Sequence, residues 1–162
     1  MKFDYRAKLP EKLQNPIHAL AFGFGSGLAK KAPGTFGTLA AVPIFLLLSL
    51  LPLWAYLIVV LAACTYGVYL CEKTAEDMQV HDDPSIVWDE FAGFWITMIA
   101  IPVSFTTVVI GFALFRFFDI LKPWPIDWID RNVSGGLGIM LDDIVAGLMA
   151  LGCLHLINYF LL

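Results

Sequence analysis

Two adjacent acid pairs stand out in this chain by where they fall. Asp89-Glu90 immediately precedes an uncharged stretch that begins at Phe91, and Asp142-Asp143 precedes a final stretch with no Asp, Glu, Lys or Arg. Carboxylates at the mouth of an apolar helix are costly unless something neutralises them. Either pair alone reads as an N-terminal cap that the helix dipole favours. Both together, separated by a loop bearing lysine and arginine, read as oxygen ligands for a hard divalent cation. Asp89, Glu90, Asp142 and Asp143 are therefore the first candidates for metal binding and catalysis. Asp83 and Asp119 are further metal candidates.

Groups suited to a phosphate lie in two other places. Arg116, Asp119 and Lys122 share one helical face, either as a phosphate-binding set or as a local salt bridge. Earlier in the chain, Gly23-Phe24-Gly25-Ser26-Gly27 and Pro33-Gly34-Thr35-Phe36-Gly37-Thr38 form a glycine-rich segment. Its glycines allow close backbone approach, and a helix starting near Thr38 aims amide groups at an anion. Lys30 and Lys31 add charge there, and Thr35 and Thr38 add hydroxyl donors. The spacing is not G-x-x-x-x-G-K-[ST], and an interfacial loop with lysines facing lipid headgroups fits it as well.

Other phosphatase chemistries lack their residues. No cysteine is followed six positions later by arginine, and no D-x-D-x-[TV] occurs. A metal-activated water is the simplest chemistry left. Cys64, Cys71 and Cys153 sit in apolar stretches without C-x-x-C spacing and read as small buried side chains. Glu72, Glu76 and Asp77 continue a helix and read as its solvated end.

The elements that must position these groups are apolar. Of 162 residues 59% are hydrophobic and only 15% charged, with a mean hydropathy of +0.78. A soluble domain carries about a quarter charged residues. Phe36–Leu70 and Phe91–Phe115 hold no charge, and about 20 apolar residues suffice to cross a bilayer as helix. Pro52 marks a turn between helices near Thr38–Leu51 and Trp54–Cys71. Pro102 makes Phe91–Phe118 either a hairpin or one kinked span, and a metal shared by the two acid pairs requires the hairpin.

The expected fold is all-α, an integral membrane helical bundle with short or broken apolar helices and one polar, carboxylate-rich face. A single membrane-embedded domain covers 1–162. It divides into a basic, glycine-rich segment (1–37), an apolar hairpin (38–71), an acidic loop (72–90), the Pro102 segment (91–118), a polar loop (119–142) and a last membrane helix (143–162). Lys2, Arg6, Lys8, Lys12, Lys30 and Lys31 all precede the first apolar run, which makes the N-terminal side cytoplasmic. Trp124 and Trp128 suit the headgroup level. A basic N-terminus followed by acidic loops is not the charge pattern of a nucleic-acid binder.

Several segments resemble the bacterial phosphatidylglycerophosphatase A family. They are Gly23-Phe-Gly-Ser-Gly-Leu, Pro33-Gly-Thr, Tyr69-Leu-Cys, His81-Asp82, Ser85-Ile-Val-Trp-Asp-Glu-Phe, Lys122-Pro-Trp-Pro-Ile, Asp130-Arg-Asn-Val and Gly135 through Gly147. The likeness runs from about Asn15 to about Gly152. It implies Mg²⁺-dependent hydrolysis of the phosphate monoester of phosphatidylglycerophosphate, giving phosphatidylglycerol, at the bacterial inner membrane. The partners it implies are the lipid phosphate and the membrane, with no obligatory protein partner. The alternative is a non-catalytic membrane subunit or ion-pathway protein whose acid pairs are helix caps. A pathway asks for ionisable residues deep inside apolar segments, and none stands there.

Overall fold

The computed structural model describes residues 13–161, so Lys2, Arg6, Lys8 and Lys12 lie outside it. Among the described residues every regular element is a helix. A short helix α1 (Pro16–Ala21) starts at Asn15, whose side chain accepts from Ile17 N at 3.0 Å. A 3-10 segment, Gly23–Leu28, leads to α2 (Pro33–Leu48). Then follow α3 (Leu53–Met78), α4 (Trp88–Thr97), α5 (Phe105–Leu121), α6 (Ile126–Asn132) and α7 (Gly135–Leu161).

Helix lengths sort the elements. α3 and α7, with 26 and 27 residues, are long and apolar enough to cross a bilayer. At about 1.5 Å per residue each reaches roughly 40 Å. α2 and α5 are shorter, and α4 has only 10 residues, or about 15 Å. Large apolar side chains such as Leu47, Leu50, Leu61, Phe105 and Phe160 stay exposed. An apolar surface of that extent suits lipid rather than water.

α4 sits inside the other helices. From Phe91 through Met98 every residue is buried, as expected of a helix apolar on all sides. Its polar edges are tied down individually. The Trp88 indole donates to Ala63 O in α3 at 3.0 Å, and the Trp95 indole donates to Ala41 O in α2 at 3.1 Å. The Tyr56 hydroxyl donates to Trp95 O at 2.6 Å. Buried indole and phenol donors find partners of this kind, which fixes rotation as well as depth.

The chain turns back after α4. Residues 98–104 break the helix at Ala100, whose φ is 56°, and at Pro102. Ser104 then caps α5 reciprocally with Thr107, by 3.1 and 2.9 Å bonds. The start of α4 and the end of α5 come together: Glu90 Oε1 lies 3.7 Å from an Arg116 amino nitrogen. Phe91–Phe118 is thus a hairpin.

The last helix departs from the expected boundary, beginning at Gly135 rather than Asp143. Its glycines serve close packing, not a loop. A Cβ on Gly136 would overlap Val68 O and lie 2.7 Å from Glu72 N. Further along, a Cβ on Gly147 would lie 2.5 Å from Gly93 O, so the backbones of α4 and α7 touch there. Thr97 Oγ1 adds bonds to Gly93 O at 3.0 Å and Gly147 O at 3.4 Å.

Gly147→Leu should therefore lower the melting temperature of detergent-solubilised protein by several degrees, the effect of about 1–3 kcal/mol of overpacking. Gly152→Ala meets nothing within 4 Å and should stay within about 0.5 kcal/mol of wild type. Equal melting temperatures for G147L and wild type would contradict the α4–α7 contact.

Candidate active site

One turn from the Gly93–Gly147 contact, the same two helices carry acids. Asp89 lies four residues before Gly93, and Asp143 four before Gly147. Side chains one turn apart stack on the same helical face. The crossing therefore drives Asp89, Glu90 and Asp143 together, and one oxygen from each lies within 4.8 Å of the others. Asp89 Oδ1, Glu90 Oε2 and Asp143 Oδ2 are buried without a hydrogen-bond partner. Buried polar atoms normally have one. Three clustered acids, each carrying an orphaned oxygen, fit a hard cation that takes oxygen ligands.

The acids open onto a cavity of about 360 Å³. Asp82, Asp89, Glu90, Asp119, Asp142 and Asp143 line it, with Arg116 and Lys122 as its cations and Ala32, Pro33 and Gly34 at the start of α2 as a further wall. Arg116 reaches Glu90 and pairs with Asp119. Lys122 bridges Asp142 and Asp130, the latter at 2.8 Å. Six carboxylates against two cations leave a strong negative excess. Three residues of the wall, Ala32, Asp82 and Lys122, hold φ values of 48°, 52° and 45°. Such left-handed backbone in non-glycine residues is strained and concentrates at functional sites.

The charges feel their burial. Desolvation pushes the Asp89 and Glu90 carboxyls well above the ordinary range; the charge of Glu90 adds to the rise at Asp89, and that of Asp143 to the rise at Glu90. For Lys122, burial pulls the ammonium down, but the bonds to Asp130 and Asp142 outweigh it and hold it above the usual lysine value.

Not every sequence candidate reaches the cavity. Lys30 and Lys31 are exposed in the segment before α2 and do not line it. Thr35 lies in the first turn of α2, off the lining. Thr38 is fully buried, and its hydroxyl donates to Gly34 O at 2.9 Å, because α2 begins at Pro33 rather than near Thr38. Asp83 is buried beside the cavity, where its Oδ1 accepts from Ser85 N at 2.8 Å and shapes the turn into α4. The polar loop assigned to 119–142 contains α6 and the first turns of α7, so Asp142 and Asp143 lie within a helix and do not cap it.

Other residues take positions that helical spacing did not single out. Asp82 lines the cavity, and Asp130 holds Lys122. Glu72 is exposed, as a solvated helix end should be, but it also has a tertiary role: its Oε2 accepts from Gly136 N, and His81 Nε2 accepts from Gly135 N at 3.3 Å. Together they satisfy free amides at the start of the helix that carries Asp142 and Asp143. His81-Asp82 and Asp130 fall in segments quoted for the family resemblance, and Asp82 also belongs to the acidic stretch 72–90.

Comparison with known proteins defines the class. An Escherichia coli protein named phosphatidylglycerophosphatase A is 54% identical over 94% of this chain and 90% of its own length. A Haemophilus influenzae protein of the same name is 51% identical, over 93% of each. A Bacteroides thetaiotaomicron protein, provisionally named phosphatidylinositol-3-phosphatase, is 39% identical over 77% of this chain and 82% of its own. All three carry the names of phosphatases of phosphatidyl lipids. The family profile described as phosphatidylglycerophosphatase A matches residues 19–158, and the chain belongs to the phosphatidylglycerophosphatase A family. No solved structure matches it.

Glu72→Ala should remove an acceptor from the start of α7 and lower the melting temperature by the equivalent of about 1 kcal/mol. Glu72→Gln, which keeps an acceptor oxygen, should lose less. If E72A and wild type melt together, Glu72 does not hold α7.

Proposed function

We propose that this phosphatase hydrolyses the phosphate monoester of phosphatidylglycerophosphate, giving phosphatidylglycerol and phosphate, with Mg²⁺ held by Asp89, Glu90 and Asp143. The observation that carries the reading is the meeting of three acids, each with a buried, unpartnered carboxylate oxygen, in the cavity that Arg116 and Lys122 also line. Identity above 50% to two relatives named for that lipid supports the substrate. The name of the third points to a different phosphatidyl lipid that also carries a phosphate monoester.

The chain's own residues divide the work. Arg116 and Lys122 bind the phosphate oxygens, and the first turn of α2 faces them with its dipole. Asp89, Glu90 and Asp143 would hold the metal, while Asp142 and Asp119 line the same cavity and engage Lys122 and Arg116. A divalent cation there supplies charge neutralisation and makes a water more acidic. A cavity carboxylate takes a proton from the attacking water as the water oxygen bonds to phosphorus. The ester P–O bond breaks and that proton passes to the departing oxygen, so the lipid leaves as its alcohol and phosphate remains. The enclosing helices restrict bulk water, which strengthens each of these interactions.

The same reading embeds one domain in the bacterial inner membrane as a multi-pass bundle, its carboxylate-rich face toward the cytoplasm and level with the headgroups. The partners are the lipid phosphate and the membrane, and neither nucleic acid nor an obligatory protein is required. A site at that depth meets a headgroup without drawing the lipid out of the bilayer.

Detergent-solubilised protein should release phosphate from phosphatidylglycerophosphate with Mg²⁺ and stop when the metal is chelated. Asp89→Asn and Asp142→Asn should cut kcat/KM by at least about 10²-fold, equivalent to about 2.7 kcal/mol, while remaining folded. Absence of release from any lipid phosphate monoester would falsify the proposal. Binding has a separate readout. Mg²⁺ at 100 times its Kd should stabilise wild type by about 2.7 kcal/mol in thermal melts, and this gain should vanish in Asp143→Asn.

A further inference from the structure

A second cavity, of about 510 Å³, lies between α2 and α5 and is walled almost wholly by apolar side chains. Leu39, Val42 and Leu46 form its α2 wall at i, i+3, i+7 spacing, and Val108, Val109 and Phe112 stand opposite on α5. Residues so spaced occupy one helical face. The stripes face each other without closing: Leu39, Leu46 and Val109 remain 55, 44 and 48% exposed. The volume falls within the roughly 300–1,000 Å³ of small-molecule pockets.

What decides the occupant is that the same two helices also wall the carboxylate cavity. α2 enters that cavity at Pro33 and Gly34, and α5 enters it at Arg116 and Ile120. The helices run in opposite senses from it, so depth along each can be compared. At about 1.5 Å per residue, Leu39 lies roughly 7 Å beyond Gly34, and Phe112 roughly 6 Å beyond Arg116. From there the α2 stripe continues for about 10 Å more to Leu46, and the α5 stripe for about 6 Å to Val108. An apolar slot thus begins at one depth on both helices, a short step below the site where a phosphate binds. A molecule filling both spaces has a phosphate at one end and a hydrocarbon chain at the other.

We propose that the α2–α5 groove holds one acyl chain of the lipid whose phosphate enters the carboxylate cavity. This rests on the phosphatase reading. It makes the groove a specificity element: the acyl chain sets the depth at which the phosphate stops, against Arg116 and Lys122.

Two measurements test it. Val42→Trp and Val108→Trp fill the groove, and each should raise KM for long-chain phosphatidylglycerophosphate at least about tenfold. Both should leave kcat/KM for a short-chain, water-soluble analogue unchanged, and Leu61→Trp on the exposed face of α3 should alter neither. Equal effects on the two substrates, or none, overturn the groove. Wild type inactive on both substrates sinks the phosphatase reading instead. The second measurement needs no variant. Phosphatidic acid with a diazirine at its acyl terminus should label Leu46 or Val109, and unlabelled phosphatidic acid should compete. Phosphatidylcholine carrying the same diazirine should label them far less. Equal labelling by both lipids makes the groove ordinary lipid contact, and no labelling of either residue by phosphatidic acid leaves the groove without the acyl chain; either overturns the assignment.

Discussion

Three carboxylate oxygens within 4.8 Å of one another, enclosed by apolar helices, are the feature that the remaining structure has to accommodate. At an effective dielectric near 20, each ionised pair at that separation repels by about 3–4 kcal/mol. Burial adds a desolvation cost for every charge left unpaired. Nothing in the acids themselves favours such an arrangement. It is imposed from one turn below, where Gly93 and Gly147 let two backbones touch. It is kept from rotating away by the bonds from Trp88, Trp95 and Tyr56 that anchor α4. The packing of α4 is thus the force that overcomes repulsion at the site, and the acids are where that force is stored.

The shortness of α4 follows from the same constraint. A helix of bilayer length starting at Asp89 would carry the chain to the far side and leave α5 to begin there with no route back to the acids. Ten residues, about 15 Å, end the helix partway, and the break at Ala100 and Pro102 returns the chain through α5. Arg116 and Lys122 arrive at the level of Glu90 and Asp142 because α5 is long enough to climb back. The hairpin also leaves α5 loosely apposed to α2, which opens the apolar groove beneath the site. One device, a helix too short to span, brings the cations to the acids and leaves room for a hydrocarbon chain.

The sequence discloses this architecture unevenly, and the reasons are physical. Uncharged runs, Pro52 and Pro102 report hydrophobic thickness and backbone breaks, which depend on local composition. The two acid pairs are visible because charge at the edge of an apolar run is energetically anomalous in any fold. Gly135, Gly136 and Gly138 mislead, since a glycine cluster serves a loop and a close helix contact equally well. Only the neighbouring helix, with Val68 O and the Glu72 backbone against Gly136, separates the two uses. Thr38 misleads in a related way. Its hydroxyl is consumed by Gly34 O once α2 starts at Pro33, a start that proline at the first helical position favours and that the run of glycines around it obscures. The pairing of Glu72 with Gly136 spans 64 residues, beyond the reach of any local pattern.

Charge balance links the two ligands of the site. Arg116 and Lys122 are already engaged by acids, Arg116 by Asp119 and Glu90, Lys122 by Asp130 and Asp142. A phosphate entering alone must compete with those carboxylates for the same cations while facing the field of six acids lining one cavity. A divalent cation among Asp89, Glu90 and Asp143 changes the sign of that problem. It would give the orphaned oxygens a partner and offset the mutual repulsion that adds to desolvation in raising the Asp89 and Glu90 carboxyls. The acids would then compete less for the arginine and lysine. Metal and phosphate each make the other's binding less costly, and such coupling is reciprocal by thermodynamic necessity. An acidic cavity with only two cations is therefore a reasonable site for an anionic lipid, provided that a metal and the phosphate share it.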